Sequence, residues 1–173
     1  MNISDIPSLI GFRRSADCAI DLDALLAAAC LGSEQAFAGI YDALADRAYR
    51  LAFLLTTDAA AAGQVTEQTF GDLWHALGNS TPPRHGAGVW ATEFLDQHIL
   101  KNTRNQPFTG ALGPSVLHAL RALTETERSC IALAFDGART TGQTARLLGI
   151  RESHVHTSIH HGLSAMAGPP TTG

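Results

Sequence analysis

The sequence predicts an all-α fold of two small helical domains, the second containing a helix-turn-helix. Three observations carry that expectation. Apolar residues recur at helical spacing from Leu22 to Ile159. The breaks between these runs are rich in Gly, Pro or capping residues, and almost nothing alternates as a strand would. Residues 141–163, TGQTARLLGIRESHVHTSIHHGL, place Ala145, Leu148, Gly149, Ile150, Val155 and Ile159 where two crossed helices need a small contact, a turn and an apolar seam.

Taken in order, residues 21–29 open a short helix with Leu22, Leu25 and Leu26 on one face, stopped by Gly32. Ser33 is suited to the N-cap of the next helix, with Glu34 favourable in its first turn. Phe37, Ile40, Tyr41, Leu44, Leu51, Leu54 and Leu55 carry its apolar face to about Thr57. Asp58 caps a third helix over 59–77, whose inward face includes Ala62, Val65, Thr69, Leu73 and Trp74. Residues 78–88, GNSTPPRHGAG, form a loop by composition. Helix resumes over 89–104, with Trp90, Phe94, Leu95 and Ile99 repeating. A first domain thus spans 20–104 and a short linker 105–114, in which Pro114 suits the first turn of the next helix.

The second domain, 115–167, begins with Val116, Leu117, Leu120 and Leu123. Thr124 and Glu127 make a capping box ahead of Cys130, Ile131, Leu133, Ala134 and Phe135, and Gly137 ends that helix. In the helix-turn-helix, Gly149 supplies the left-handed turn and Glu152 or Ser153 starts the second helix. Laid in a major groove, that helix presents Ser153, His154, His156, Thr157, Ser158, His160 and His161, with Arg151 just before it. The last residues, GPPTTG, are a frayed tail.

Composition bounds the function. With 173 residues and 45% hydrophobic content, the chain has room for one ordinary domain or two small helical ones with real cores. Mean hydropathy is +0.04, and no apolar run approaches the roughly 20 residues of a membrane span. The N-terminus lacks the order of a secretory signal, so a cytoplasmic protein without membrane contact is expected. Cys18, Cys30 and Cys130 are too few and scattered for a disulfide framework or zinc knuckle, and are read as small buried hydrophobes. No phosphate loop, Gly-x-Ser-x-Gly or His-Glu-x-x-His is present, so neither an enzyme nor a cofactor is expected.

Charge is uneven. Residues 1–104 carry seven Lys/Arg against twelve Asp/Glu, and residues 105–173 carry five against four. Neither half has the basic footprint of a protein that holds DNA unaided. Other readings of the histidine-rich helix stay open: a helical hairpin for protein contact, or a metal site using His156 and His160, one turn apart. No local Cys or carboxylate cluster completes such a site, so no metal is assigned. Trp74 and Trp90 fit core or interface positions, and Asp42, Asp46 and Asp58 fit an exposed helix face and a cap.

Two separate motifs resemble one family. DLDALLAAACLGSEQAFAGIYDAL (residues 21–44) resembles the start of the core-binding domain of bacterial RNA polymerase sigma factors of the extracytoplasmic-function (ECF) group. VTEQTFGDLWHAL (residues 65–77) is similar to that family's next signature, a helix that docks on the polymerase clamp. Residues 120–166 are similar to its promoter-reading domain. The resemblance covers about residues 20–104 and 115–166, in the family's order.

It implies a sigma factor that binds core RNA polymerase and directs promoter-specific initiation. Residues 59–77 then supply the polymerase contact, with Gln64, Val65, Glu67, Gln68, Phe70, Asp72, Leu73 and Trp74 as the candidate residues. It also implies promoter contact by Trp90 in the −10 helix, where Asp96 and His98 fall at positions expected to hold Arg. In the recognition helix His156, Ser158 and His161 replace a Lys or Arg. Each lost cation flattens the salt dependence of DNA binding by roughly 0.9. Because histidine ordinarily titrates near pH ~6.5, the expectation is weak, pH-dependent promoter contact through His156, His160 and His161.

Residues 105–113 span only ~30 Å when extended, whereas −10 and −35 elements two duplex turns apart are separated by ~70 Å. The alternative is therefore a diverged sigma-like protein that binds polymerase or an anti-sigma factor without reading promoters. A third class is a stand-alone DNA-binding sensor gated by metal or pH.

Overall fold

Caps and turns set the helix boundaries close to where the sequence places them. The computed structural model describes residues 20–79, 86–104, 116–135 and 139–167, and every regular element among them is an α-helix. The first group is α1 (Leu22–Cys30), α2 (Glu34–Thr56), α3 (Ala59–Asn79) and α4 (Ala87–Thr103). The second is α5 (Val116–Ala122), α6 (Glu125–Phe135), α7 (Thr141–Leu148) and α8 (Glu152–Ala167). The linker at 105–113, the helix stop at Gly137 and the C-terminal tail lie outside the described residues.

Local side chains satisfy the first free N–H groups of each early helix. Asp21 Oδ1 accepts from the Ala24 N–H at 3.1 Å, Ser33 Oγ from Ala36 at 3.2 Å, and Asp58 Oδ1 from Ala61 at 2.8 Å. Between α2 and α3 the chain reverses at Thr57, whose φ of 55° is the one positive non-glycine value among the described residues. A β-branched residue is strained there. Its N–H donates to the Phe53 carbonyl at 2.7 Å, and burial beside Thr56 holds it in place.

The loop expected over 78–88 is shorter than its composition suggests. α3 runs on to Asn79, and α4 starts at Ala87. The reason is a tertiary cap: Asp23 on α1 accepts the Gly86 N–H at 3.2 Å and the Gly88 N–H at 2.7 Å.

Leu26, Ile40, Leu51, Val65, Leu73, Leu95 and Ile99 fill the core between α1, α2, α3 and α4. Each large side chain so buried contributes about 1.5–3 kcal/mol. Ala48, Ala52, Ala62 and Ala91 are also buried and let the helices approach closely. Arg47 on α2 adds a fork to Asp96 on α4, with Nη1–Oδ1 at 2.7 Å and Nη2–Oδ2 at 3.0 Å.

In the second group the expected Thr124–Glu127 capping box is formed. Thr124 N–H donates to Glu127 Oε2 at 2.8 Å, and Glu127 N–H donates to Thr124 Oγ1 at 3.3 Å. A second box, Thr140–Gln143, starts α7 and escaped the sequence reading, although T-x-x-Q is its signal. Gly149, at φ 67°, ends α7 in the left-handed region, and α8 follows from Glu152. Cys130, Ala145 and Val155 are buried together, with Leu148, Ile150 and Ile159 packed around them. The helix-turn-helix seam is thus assembled from the residues the pattern names.

The two groups share a core. Ala132 and Leu133 of α6 are buried in the cluster built by α1–α4, and Leu147 and Leu148 of α7 pack against it. Arg128 Nη1 donates to the Leu55 carbonyl at 3.4 Å across the same seam. Cys130 is buried and Cys30 half-buried, and burial raises both thiol pKa values above the ordinary range. Among the described residues no helix is long and apolar enough to cross a membrane.

Candidate polymerase and nucleic-acid interfaces

On α3 the candidate polymerase residues divide by burial. Val65, Phe70 and Leu73 are buried core residues, so their side chains are not available to a partner on the surface. Helical periodicity dictates this: positions 62, 65, 66, 69, 70, 73 and 77 all face inward. Phe70 packs edge-on to Phe37 with centroids 6.4 Å apart and lies 4.8 Å from Tyr41. Trp74 is half-buried, 4.9 Å from Phe37, so it braces α3 on α2.

The opposite stripe is open. Gln64, Glu67, Gln68, Gly71 and His75 are all exposed, at spacings that put them along one edge of α3. Asp72 is half-buried and its carboxylate faces His98 Nδ1 on α4 at 3.0 Å. Beside the ridge, Tyr41, Ala45, Asp46, Tyr49, Gly63, Thr66 and Glu67 line a shallow groove of about 290 Å³ between α2 and α3.

α4 carries an aromatic ladder. Trp90 lies 5.6 Å from Phe94, and the Phe94 ring stacks on His98 at 4.0 Å. Trp90 is half-buried, so one edge of its indole reaches the surface. Asp96 is wholly enclosed. Besides the Arg47 fork, its Oδ2 accepts from Arg139 Nε at 2.9 Å, with Arg139 Nη2 at 2.7 Å but off hydrogen-bond alignment. The sequence, comparing Asp96 with an expected Arg, gives no sign of this role. Its partners stand 49 and 43 residues away, beyond the reach of local pattern.

The helix-turn-helix presents Arg151, Ser153, His154, His156, Thr157 and His160 to solvent, as expected. Ser158 does not belong to that row. Its buried hydroxyl hydrogen-bonds the Cys130 thiol, because position 158 falls one turn from Val155 on the inner face. His161 is exposed but its Nδ1 is hydrogen-bonded to Glu127 Oε1, tying it back to α6. Arg146 on α7, missed by the sequence reading, is also exposed. It could have been found as the one cation in the first helix of the motif.

Glu127 carries the clearest carboxylate shift. The Thr124 N–H, then the His161 ring and the Thr124 hydroxyl, hold its pKa below the ordinary carboxylate range. Among the described residues no group of three or more His, Cys, Asp or Glu is placed to hold a metal ion, and the histidines of α8 stand along an open helix face.

Comparison with known proteins shows what this arrangement is similar to. Residues 119–167 match the family model "Sigma-70, region 4". Over 171 residues the chain is 23% identical to the ECF RNA polymerase sigma factor SigK of Mycobacterium tuberculosis (H37Rv), covering 84% of this chain and 91% of that one. The chain is thus similar to ECF sigma factors over most of its length. Another relative is the ECF RNA polymerase sigma factor BldN of Streptomyces coelicolor, 22% identical over 160 residues, covering 79% of this chain and 61% of that one. Among solved structures, CnrH in complex with the cytosolic domain of CnrY has the same fold, with a TM-score of 0.61 at 18% identity over 84% of this chain and 94% of that one. The matched residues cover the end of α5 together with α6, α7 and α8.

Proposed function

We propose that the chain binds core RNA polymerase and directs promoter-specific transcription initiation. Residues 20–104 serve as the polymerase-binding unit and 115–167 as the promoter-reading unit. The protein works in the cytoplasm and catalyses nothing itself. The observation that carries this is the open ridge of α3, Gln64, Glu67, Gln68 and Gly71, held rigid by a core made of the same signature's apolar residues. A ridge so preorganised binds without the cost of ordering a loop.

Promoter contact falls to Trp90 on α4 and to Arg146, Arg151, Ser153, His154, His156, Thr157 and His160 on the helix-turn-helix. With few cations, that contact is weak, and polymerase supplies most of the affinity. An anti-sigma factor is a further expected partner.

A second reading is favoured by Asp96, which is enclosed where the resemblance places a DNA-contacting Arg. On it, the chain binds polymerase or an anti-sigma factor without reading promoters. One experiment separates the two. Core polymerase binding is measured for the wild type and for Glu67→Arg/Gln68→Ala, both exposed and so compatible with folding, and initiation is then assayed on a promoter library. Binding lost in the variant with specific initiation by the wild type supports the first reading. Binding without initiation supports the second, and no polymerase binding sinks the first and leaves only the anti-sigma form of the second.

A further inference from the structure

Asp96, Arg47 and Arg139 join three parts of the chain that are far apart in sequence. Asp96 lies on α4, Arg47 on α2, and Arg139 just before α7. The Asp96 side chain is 0% exposed, and that of Arg139 is 7% exposed. A buried carboxylate needs its partners, because removing one leaves charge stranded out of water. Arg47 already belongs to the same group of helices as Asp96. Arg139 is the partner contributed from the other side of the seam, and its Nη1 also lies 3.8 Å from Glu93 on α4.

The rest of the seam closes around this contact. Ala132 and Leu133 sit in the first group's core, with Leu147 and Leu148 against it. Separating the groups would therefore expose apolar surface and strip Asp96 of one of its two cations at once. Arg139 itself is fixed by its backbone, whose N–H donates to the Leu133 carbonyl at 3.3 Å. Next to it, Thr140 caps α7, so the guanidinium is delivered right beside a helix start.

We propose that Arg139 on Asp96 is a latch that holds the free chain closed, with the promoter-reading unit docked on the polymerase-binding unit. The latch uses the position where the resemblance expects a DNA-contacting Arg, so α4 gives up one base or phosphate contact to gain an inter-unit anchor. While it is shut, Asp96 and Arg139 face each other rather than a nucleic acid. Two promoter elements ~70 Å apart can be reached together only after the units part. Opening is then driven by core polymerase, which binds the separated form better. Only this last consequence rests on the function proposed above; the closed state does not.

Small-angle X-ray scattering of the full chain tests the latch directly. A closed 173-residue chain has a radius of gyration of about 16 Å, and parted units raise it to about 20 Å or more. The wild type is expected near the lower value. Arg139→Ala, checked for retained helicity, is expected near the higher one, with Arg139→Gln as a milder companion in case the alanine variant misfolds. Arg104→Ala removes an exposed pair to Glu125 across the same seam, at 3.6 Å, and is expected to change nothing. An extended wild type overturns the latch, as does a folded Arg139 variant that stays compact. If the latch gates polymerase binding, the opened variant also binds core polymerase at least about tenfold more tightly, since apparent affinity scales with the competent fraction. Parting of the units without any polymerase binding keeps the latch and removes the proposed function instead.

Discussion

Gly162 on α8 lies directly against Ile131 on α6, so close that a methyl group at 162 would press into the Ile131 Cδ1 atom. Leu123 Cδ1 stands just behind, 3.6 Å from the same point. The absence of a side chain lets α8 settle onto α6, and Leu120, Leu123 and Ile131 make a small core there. Gly162→Ala gains about 0.8–1.0 kcal/mol of helix propensity and needs only the end of one flexible side chain to move, so its net effect on stability should stay within about 1 kcal/mol. Gly162→Leu has no such escape and should cost about 1–3 kcal/mol through overpacking. Urea unfolding of the two variants measures the contrast, and equal midpoints would mean that the helices are not in contact at this point.

Glu127 makes α6 sensitive to acid. Its folded pKa is depressed, so its contribution to stability is fully present above the unfolded value of about 4.3 and is lost as pH falls through the lower folded value. Glu127→Gln should cost about 1 kcal/mol at neutral pH, the typical worth of a cap. Once pH has fallen below the depressed folded value, the two proteins should converge. A stability gap that is unchanged from neutral to acid pH would mean the carboxylate charge contributes nothing.

The exposed histidines of α8 give a direct test of nucleic-acid contact. His156→Arg with His160→Arg restores two fixed cations on the open face. Duplex binding by the isolated protein should strengthen, and the slope of log K against log salt should steepen by about 0.9 for each phosphate gained. Fluorescence anisotropy at several salt concentrations reads both. An unchanged slope would turn this face away from DNA.

Leu133 tests whether the seam couples the two groups. Both tryptophans, Trp74 and Trp90, lie in α3 and α4, whereas Leu133 belongs to α6 and is wholly buried in the first group's core. Leu133→Ala should cost about 2–5 kcal/mol. The loss should be visible in the tryptophan-detected transition. A shift seen only by far-ultraviolet circular dichroism, with tryptophan unmoved, would show that the groups unfold independently.

Local signals carried most of the architecture. Ser33, Asp58 and Thr124 announce helix starts through bonds spanning three residues, and Gly149 announces the turn through its missing side chain. The seam of Ala145, Val155 and Ile159 follows from helical period alone. What the pattern could not resolve was which residues of a shared motif face outward. Phe70 and Leu73 fall on the inward face of α3, and Ser158 sits one turn from Val155, so burial claims them all. Asp96 was legible only as a departure from a family pattern. Its place between Arg47 and Arg139 depends on how α2, α4 and the residues just before α7 meet, which sequence spacing does not encode.

The cap that α4 borrows from Asp23 bears on the order in which the chain assembles. Ser33, Asp58, Thr124 and Thr140 close their caps within three residues, as soon as the local chain exists. Gly88 waits for a bond across 65 residues. Its partner is ready early but idle, since α1 must first dock on α2 and α3 before Asp23 faces the right way. The first turn of α4, which precedes the aromatic ladder of Trp90, Phe94 and His98, is therefore expected to form late in folding, after a loop closure that the locally capped helices do not need.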